Sequence, residues 1–244
     1  MRKTLVIHIG HFKTGTTVLQ LLCARNRVVL GLKGLDYANY RLFNGKHSRL
    51  AFPVYRASGV DSFLYGYDDP TPPEEIWAGL FDYIRASRQA KTLISSEEFI
   101  RLGAFPEAAA RLKAILETAP DIDLRVIAYL REPGEHLQSW FYKLVKLRIP
   151  VPSFERAVCE VMEPVHLDYA LALRPWIDIA GRDNVVVRPY LPPTAEAPSL
   201  YEDFMEAIGV EIPRLGVRYP DEDPNPRLAP RKRDLMRVMI NAGI

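Results

Sequence analysis

Apolar residues along this chain fall into short unbroken runs, separated by longer stretches with helical spacing. Four runs read as strands, at residues 4–9, 92–96, 124–130 and 185–188. They are apolar at successive positions rather than at alternate ones, the pattern of parallel strands buried on both faces. Between them the apolar positions recur every three or four residues. In 107–118 this places Ala108, Leu112, Ile115 and Leu116 on one face. The same period predicts helices over 74–88, 133–147, 167–180, 199–208 and 234–241. Pro175 is expected to break or kink the helix in which it falls. Strands alternating with helices predict an α/β fold: a doubly wound parallel sheet with helices on both faces and ligands at the carboxyl ends of the strands. Lys13, Glu97 and Arg131 all fall at such ends.

Residues 36–73 break the pattern. They carry Gly, Pro and Asn punctuation, no sustained period, and the aromatics Tyr37, Tyr40, Phe43, Phe52, Tyr55, Phe63, Tyr65 and Tyr67. A long irregular insert of this kind is functional or mobile more often than not. Two readings stand side by side: a lid or acceptor wall, and aromatics that pack the insert onto the body.

At 244 residues, 48% hydrophobic and 25% charged, the composition fits a single domain, 1–244, with a full core. A formal net charge of +2 provides no global basic field for nucleic acid. No stretch approaches the roughly 20 apolar residues of a membrane span. The apolar run after Met1-Arg2-Lys3 is too short for a signal peptide and is interrupted by His8 and Lys13. Cys23 and Cys159 lack metal or redox spacing, and read as buried thiols in a reducing compartment.

The first strand runs into Gly10-His11-Phe12-Lys13-Thr14-Gly15-Thr16-Thr17, and a helical pattern (Val18, Leu19, Leu22, Cys23) follows. A strand–turn–helix of this kind aims free backbone N–H groups and the positive end of a helix dipole at one spot, which suits phosphate or sulfate. It is not the usual Walker A loop. Gly10 and Gly15 have the right spacing, but Thr16 stands where the lysine belongs and Lys13 precedes Gly15. No strand ends in an Asp to hold Mg²⁺; two later ones end in Leu130-Arg131 and Val187-Arg188. The anion is therefore expected to be held by cationic side chains, with no metal.

These residues resemble the sulfotransferases that use 3′-phosphoadenosine-5′-phosphosulfate (PAPS), on a P-loop NTPase-like fold. Their phosphosulfate loop reads Lys-x-Gly-Thr-Thr after a strand, as Lys13 to Thr17 do here; Phe12 departs from the proline that many members place before the lysine. Their 3′-phosphate site is a strand ending in Arg, with Pro two residues on and Ser eight residues on, matched by Arg131, Pro133 and Ser139. The resemblance implies that Lys13 reaches the bridging oxygen, that Thr14, Gly15, Thr16 and Thr17 cradle the 5′-phosphate, and that Arg131 and Ser139 bind the 3′-phosphate. It implies transfer of a sulfuryl group from PAPS, the co-substrate, to an acceptor hydroxyl. The run Ser95-Ser96-Glu97-Glu98-Phe99 resembles one found in bacterial members and favours Glu97 as the base, with Glu98, His11 and His136 as alternatives. Tyr190 matches a strand-end tyrosine and is a candidate adenine contact, although Leu191-Pro192 replaces the family's Glu-Asp. Arg231-Lys232-Arg233 reads as a helix start or as a basic loop over the 3′-phosphate. The glutamate base and the aromatic insert point to a carbohydrate or glycolipid acceptor. A start directly on the first strand suits a cytoplasmic bacterial enzyme, and the C-terminus is expected to be truncated relative to longer relatives. The competing readings are a non-catalytic nucleotide-binding module on the same fold and a degenerate P-loop kinase.

Overall fold

The apolar runs assemble into one sheet. The computed structural model describes residues 2–62, 64–191, 199–211, 216–220 and 229–243. Strands β1 (Lys3–Gly10), β2 (Leu35–Tyr37), β3 (Lys91–Ser95), β4 (Ile122–Leu130) and β5 (Val185–Pro189) lie in the order β2-β3-β1-β4-β5, every pair parallel. Helices α1 (Thr16–Arg25), α2 (Arg27–Leu32), α3 (Ser48–Ala57), α4 (Pro73–Ala86), α5 (Pro106–Glu117), α6 (Pro133–Lys146), α7 (Phe154–Arg156), α8 (Tyr169–Ala180), α9 (Leu200–Ile208) and α10 (Pro230–Asn241) complete the chain. Among the described residues, no helix is long and apolar enough to cross a membrane.

Successive residues of β1 serve opposite faces, which is why the strand had to be apolar throughout. Leu5, Ile7 and Ile9 enter a core with Leu50, Trp77, Leu112 and Trp176, from α3, α4, α5 and α8. Val6 enters a second core with Leu19, Leu22, Leu30, Phe204 and Ile208, from α1, α2 and α9. Each of these side chains contributes about 1.5–3 kcal/mol through burial. A smaller cluster joins Phe141, Leu144 and Val145 of α6 to Val151, Ala157 and Met162, with Met236 and Ile240 of α10 packed against it. Helices therefore cover both faces, as the pattern predicted.

Three expectations are corrected. Pro175 does not break its helix: α8 is continuous from Tyr169 to Ala180. A proline leaves the carbonyl four residues earlier without its helical donor, here that of Leu171. That carbonyl lies against Gly103, where a Cβ would sit 2.3 Å from Leu171 O, so a bare backbone packs at the gap. Second, the insert is not irregular throughout, since it contains β2 and α3. His47 ties it down: Nε2–H donates to Ala38 O (2.9 Å), and Nδ1 accepts from the Ser95 backbone N–H (3.1 Å). Tyr37, Phe52 and Tyr55 are buried and Tyr65 is exposed; Phe63 lies outside the described residues. Three of these aromatics therefore serve packing, while Phe43 is exposed like Tyr65. Third, Cys23 is buried as expected, but Cys159 is exposed.

Candidate active site

β1 leaves the sheet at Gly10, where its register against β4 slips between His8 and Gly10. The backbone then passes through left-handed conformations at Gly10 (φ 74°), Lys13 (φ 67°) and Gly15 (φ 76°). For lysine that conformation costs about 1–2 kcal/mol, and backbone strain of this kind gathers at functional loops. Gly15 precedes α1, which begins without a side-chain cap; a helix start of this kind offers N–H groups to an anion. A Cβ on Gly15 would lie 2.5 Å from Leu200 Cδ2 and 3.1 Å from Tyr190 Cε2. The tyrosine that closes β5 thus packs directly on the loop.

The threonine hydroxyls divide the work. Thr14 and Thr16 both donate to the His11 carbonyl (2.7 and 3.1 Å), and Thr14 Oγ1 accepts from the His11 N–H (3.3 Å). Both are buried and brace the loop from within, while Thr17 is half-buried. His11 is braced as well. Its Nε2–H donates to Val165 O (3.0 Å), and Nδ1 accepts from the Phe12 N–H (2.8 Å). Burial pushes its pKa down to about 4. His136 is buried against His166, with Nε2 and Nδ1 3.0 Å apart. Both histidines weighed as bases therefore lie behind the loop.

The two adjacent glutamates part company after β3. Ser96 caps the 3₁₀ helix Glu97–Ala104, accepting from the Glu98 N–H (3.2 Å). Glu97 turns to the loop: a Cβ on Gly10 would lie 3.3 Å from both Glu97 Cα and Cγ. Its Oε2 accepts from Gln20 Nε2 (3.3 Å), which also donates to Ser95 Oγ (3.2 Å). Ser95 Oγ is also hydrogen-bonded to His8 Nδ1 (2.8 Å). A buried chain His8–Ser95–Gln20 therefore aims the Glu97 carboxylate. Glu98 turns inward, buried and paired with Arg101 (3.1 Å), which also holds Glu163. Desolvation raises the Glu98 pKa, and the Arg101 charge opposes that rise.

Sequence reading had no access to Gln20. Its one signal is a polar side chain one helical turn after Thr16, on the buried stripe with Leu19 and Cys23.

At the far end of the sheet, Arg131 follows β4 and Tyr190 follows β5. Their backbones are joined by Tyr190 N–H to Leu130 O (2.6 Å), and the Arg131 guanidinium lies 5.8 Å from the Tyr190 ring centroid. Tyr169 OH donates to the Arg131 carbonyl (2.9 Å). A groove of about 620 Å³ runs here, lined by Arg131, Glu132, Tyr169, Arg188 and Tyr190 among others. Arg131 holds Glu135 at 2.8 Å. An ion pair with a half-exposed carboxylate contributes roughly 0–1 kcal/mol. Pro133 starts α6 as expected, and Ser139, half-buried, lies two turns along it. Arg231 and Lys232 are exposed at the start of α10, whereas Arg233 lies 3.6 Å from the Tyr142 ring centroid. The cluster reads as a helix start packed on α6.

No protein-family model matches the chain, and no curated protein matches it either. Among solved structures it is similar to a crystal structure of a sulfotransferase from Alicyclobacillus acidocaldarius, with a TM-score of 0.51 and 16% sequence identity, over 99% of this chain and 92% of that one. At that identity the likeness bears on the fold alone, which in this chain is a five-stranded all-parallel sheet flanked by helices.

Proposed function

We propose that this chain is a PAPS-dependent sulfotransferase acting on an acceptor hydroxyl, with a carbohydrate or glycolipid as the acceptor class. The observation that carries this reading is the approach of Glu97 to Gly10, where the loop that leads to Lys13–Thr17 begins, at the carboxyl ends of the neighbouring strands β1 and β3. The motif residues support it, and so does the fold shared with a sulfotransferase. PAPS supplies the sulfuryl group and, once that is lost, leaves as adenosine 3′,5′-bisphosphate. Glu97 takes the proton of the acceptor hydroxyl as its oxygen bonds to sulfur, held in aim by Gln20. Lys13 meets the charge that grows on the departing phosphate oxygen as the S–O bond breaks, together with the N–H groups at the start of α1. Arg131 and Ser139 hold the 3′-phosphate, and Tyr190 packs beside the nucleotide. The proton thus passes to Glu97, the sulfuryl group to the acceptor oxygen, and the charge of the leaving phosphate is met by Lys13 and the N–H groups of α1.

A screen of sugars, glycolipids and phenols with sulfur-labelled PAPS tests the reading. The expected result is a labelled sulfate ester formed together with an equal amount of adenosine 3′,5′-bisphosphate, with saccharides ahead of phenols. Label that never leaves the nucleotide, whatever the hydroxyl acceptor, contradicts it.

A further inference from the structure

Three histidines distant in sequence meet behind the loop. His11 follows β1, His136 lies near the start of α6, and His166 closes the 3₁₀ turn Pro164–His166 that leads to α8. One ring nitrogen from each lies within 4.8 Å of the other two. All three are buried, and the Trp140 ring stacks over His166 at 4.2 Å. Among the described residues no carboxylate is hydrogen-bonded to any of them.

The fixed partners settle the protons on His11. Val165 O can only accept, so His11 Nε2 carries the hydrogen; the Phe12 N–H can only donate, so Nδ1 presents a lone pair. An imidazole that donates one N–H to a backbone carbonyl is held in the tautomer and orientation of a metal ligand. His136 Nε2 and His166 Nδ1 share one hydrogen bond at 3.0 Å, so these two nitrogens already face each other.

We propose that His11, His136 and His166 form a binding site for a divalent transition-metal ion, with Zn²⁺ the best fit and water as a fourth ligand. Three imidazoles and no oxygen ligand suit Zn²⁺, Co²⁺ or Ni²⁺ and not Mg²⁺ or Ca²⁺. Two nitrogens bonded to Zn²⁺ at about 2.0–2.1 Å in tetrahedral geometry lie about 3.3 Å apart. The His136–His166 pair needs to open only slightly from 3.0 Å. His11 Nδ1 exchanges the Phe12 N–H for the ion. The bound ion then ties the Gly10–Gly15 loop to α6, which carries Ser139, and to the turn before α8. It acts as a clamp on the loop, and no step of sulfuryl transfer passes through it. The inference stands independently of the transferase reading.

The test uses the whole chain with Cys159→Ser, which removes an exposed thiol that could compete for metal. The protein is stripped with a chelator, desalted and titrated with Co²⁺. The expected result is the intense visible absorption of tetrahedral Co²⁺, saturating at one ion per chain and displaced by Zn²⁺. His136→Gln and His166→Gln, checked for folding by circular dichroism, should each weaken binding by at least roughly tenfold. X-ray absorption at the zinc edge of the otherwise unsubstituted protein counts imidazole ligands even if a variant fails to fold, and three are expected. Absence of saturable binding, oxygen-only coordination, or unchanged affinity in both folded variants overturns the proposal. Adenosine 3′,5′-bisphosphate is titrated in parallel. Nucleotide binding without metal binding refutes the metal site alone, and the reverse leaves the metal site standing.

Discussion

Glu97→Gln is expected to lower kcat by roughly 10²–10⁴ while leaving affinity for adenosine 3′,5′-bisphosphate nearly unchanged. The geometry makes the comparison with its neighbour sharp. Glu97 faces Gly10 at the mouth of the loop and receives Gln20, so the amide keeps the shape and loses only the ability to accept a proton. Glu98 is buried on Arg101, which also holds Glu163. Glu98→Gln is therefore expected to act on stability. Breaking one side of a buried ion pair costs about 3–5 kcal/mol, and the retained Glu163 partner brings the expected loss to the lower end of that range or below. Single-turnover kinetics with labelled PAPS and urea unfolding of both variants separate the two roles. An inactive but fully stable Glu98→Gln beside an active Glu97→Gln would sink the assignment.

Acid should destabilise the protein well before its carboxylates titrate. His8 and His47 lie outside the three-histidine cluster, and burial pushes their pKa values down to about 3 and about 4. A histidine whose folded pKa is depressed binds a proton more readily when unfolded. Its contribution is therefore fully present above the unfolded value near 6.5 and is lost as pH falls towards the folded value. Each loses about 1.4 kcal/mol per pH unit in that window, so together they remove about 4 kcal/mol between pH 7.5 and pH 5. Glu98 works in the opposite sense, because its raised pKa favours the folded state as pH drops, and it trims this loss. Against a typical total of about 5–15 kcal/mol the change is large. Urea unfolding at the two pH values measures it, and equal stability at both would refute the burial of these rings in neutral form.

The sheet was legible in the sequence because parallel strands buried on both faces leave unbroken apolar runs, and four of the five were found within two residues of their ends. β2 escaped because Leu35–Tyr37 is three residues long with Asp36 at its centre. Helix α3 escaped because Pro53 lies inside it, in a segment punctuated by Gly, Pro and Asn. Pro175 misled for a tertiary reason: Gly103 packs against the carbonyl that the proline leaves without a donor. At the site, the loop and Arg131 were legible as motifs. Glu97 was favoured over Glu98 from its motif alone; the partners that set the two apart, Gln20 and Arg101, are brought near only by the fold. The same holds for the three histidines, each unremarkable at its own position.

The central claim concerns the anion that this site is shaped to hold, and calorimetric titration without divalent metal tests it directly. Adenosine 3′,5′-bisphosphate is titrated against 5′-AMP, on the native chain and on Arg131→Ala. A charge-assisted hydrogen bond contributes about 1.5–3 kcal/mol, so the bisphosphate should bind at least roughly tenfold more tightly than 5′-AMP. Arg131→Ala should close most of that gap. Equal affinities in the native chain, or binding that appears only when Mg²⁺ accompanies ATP, would contradict the account.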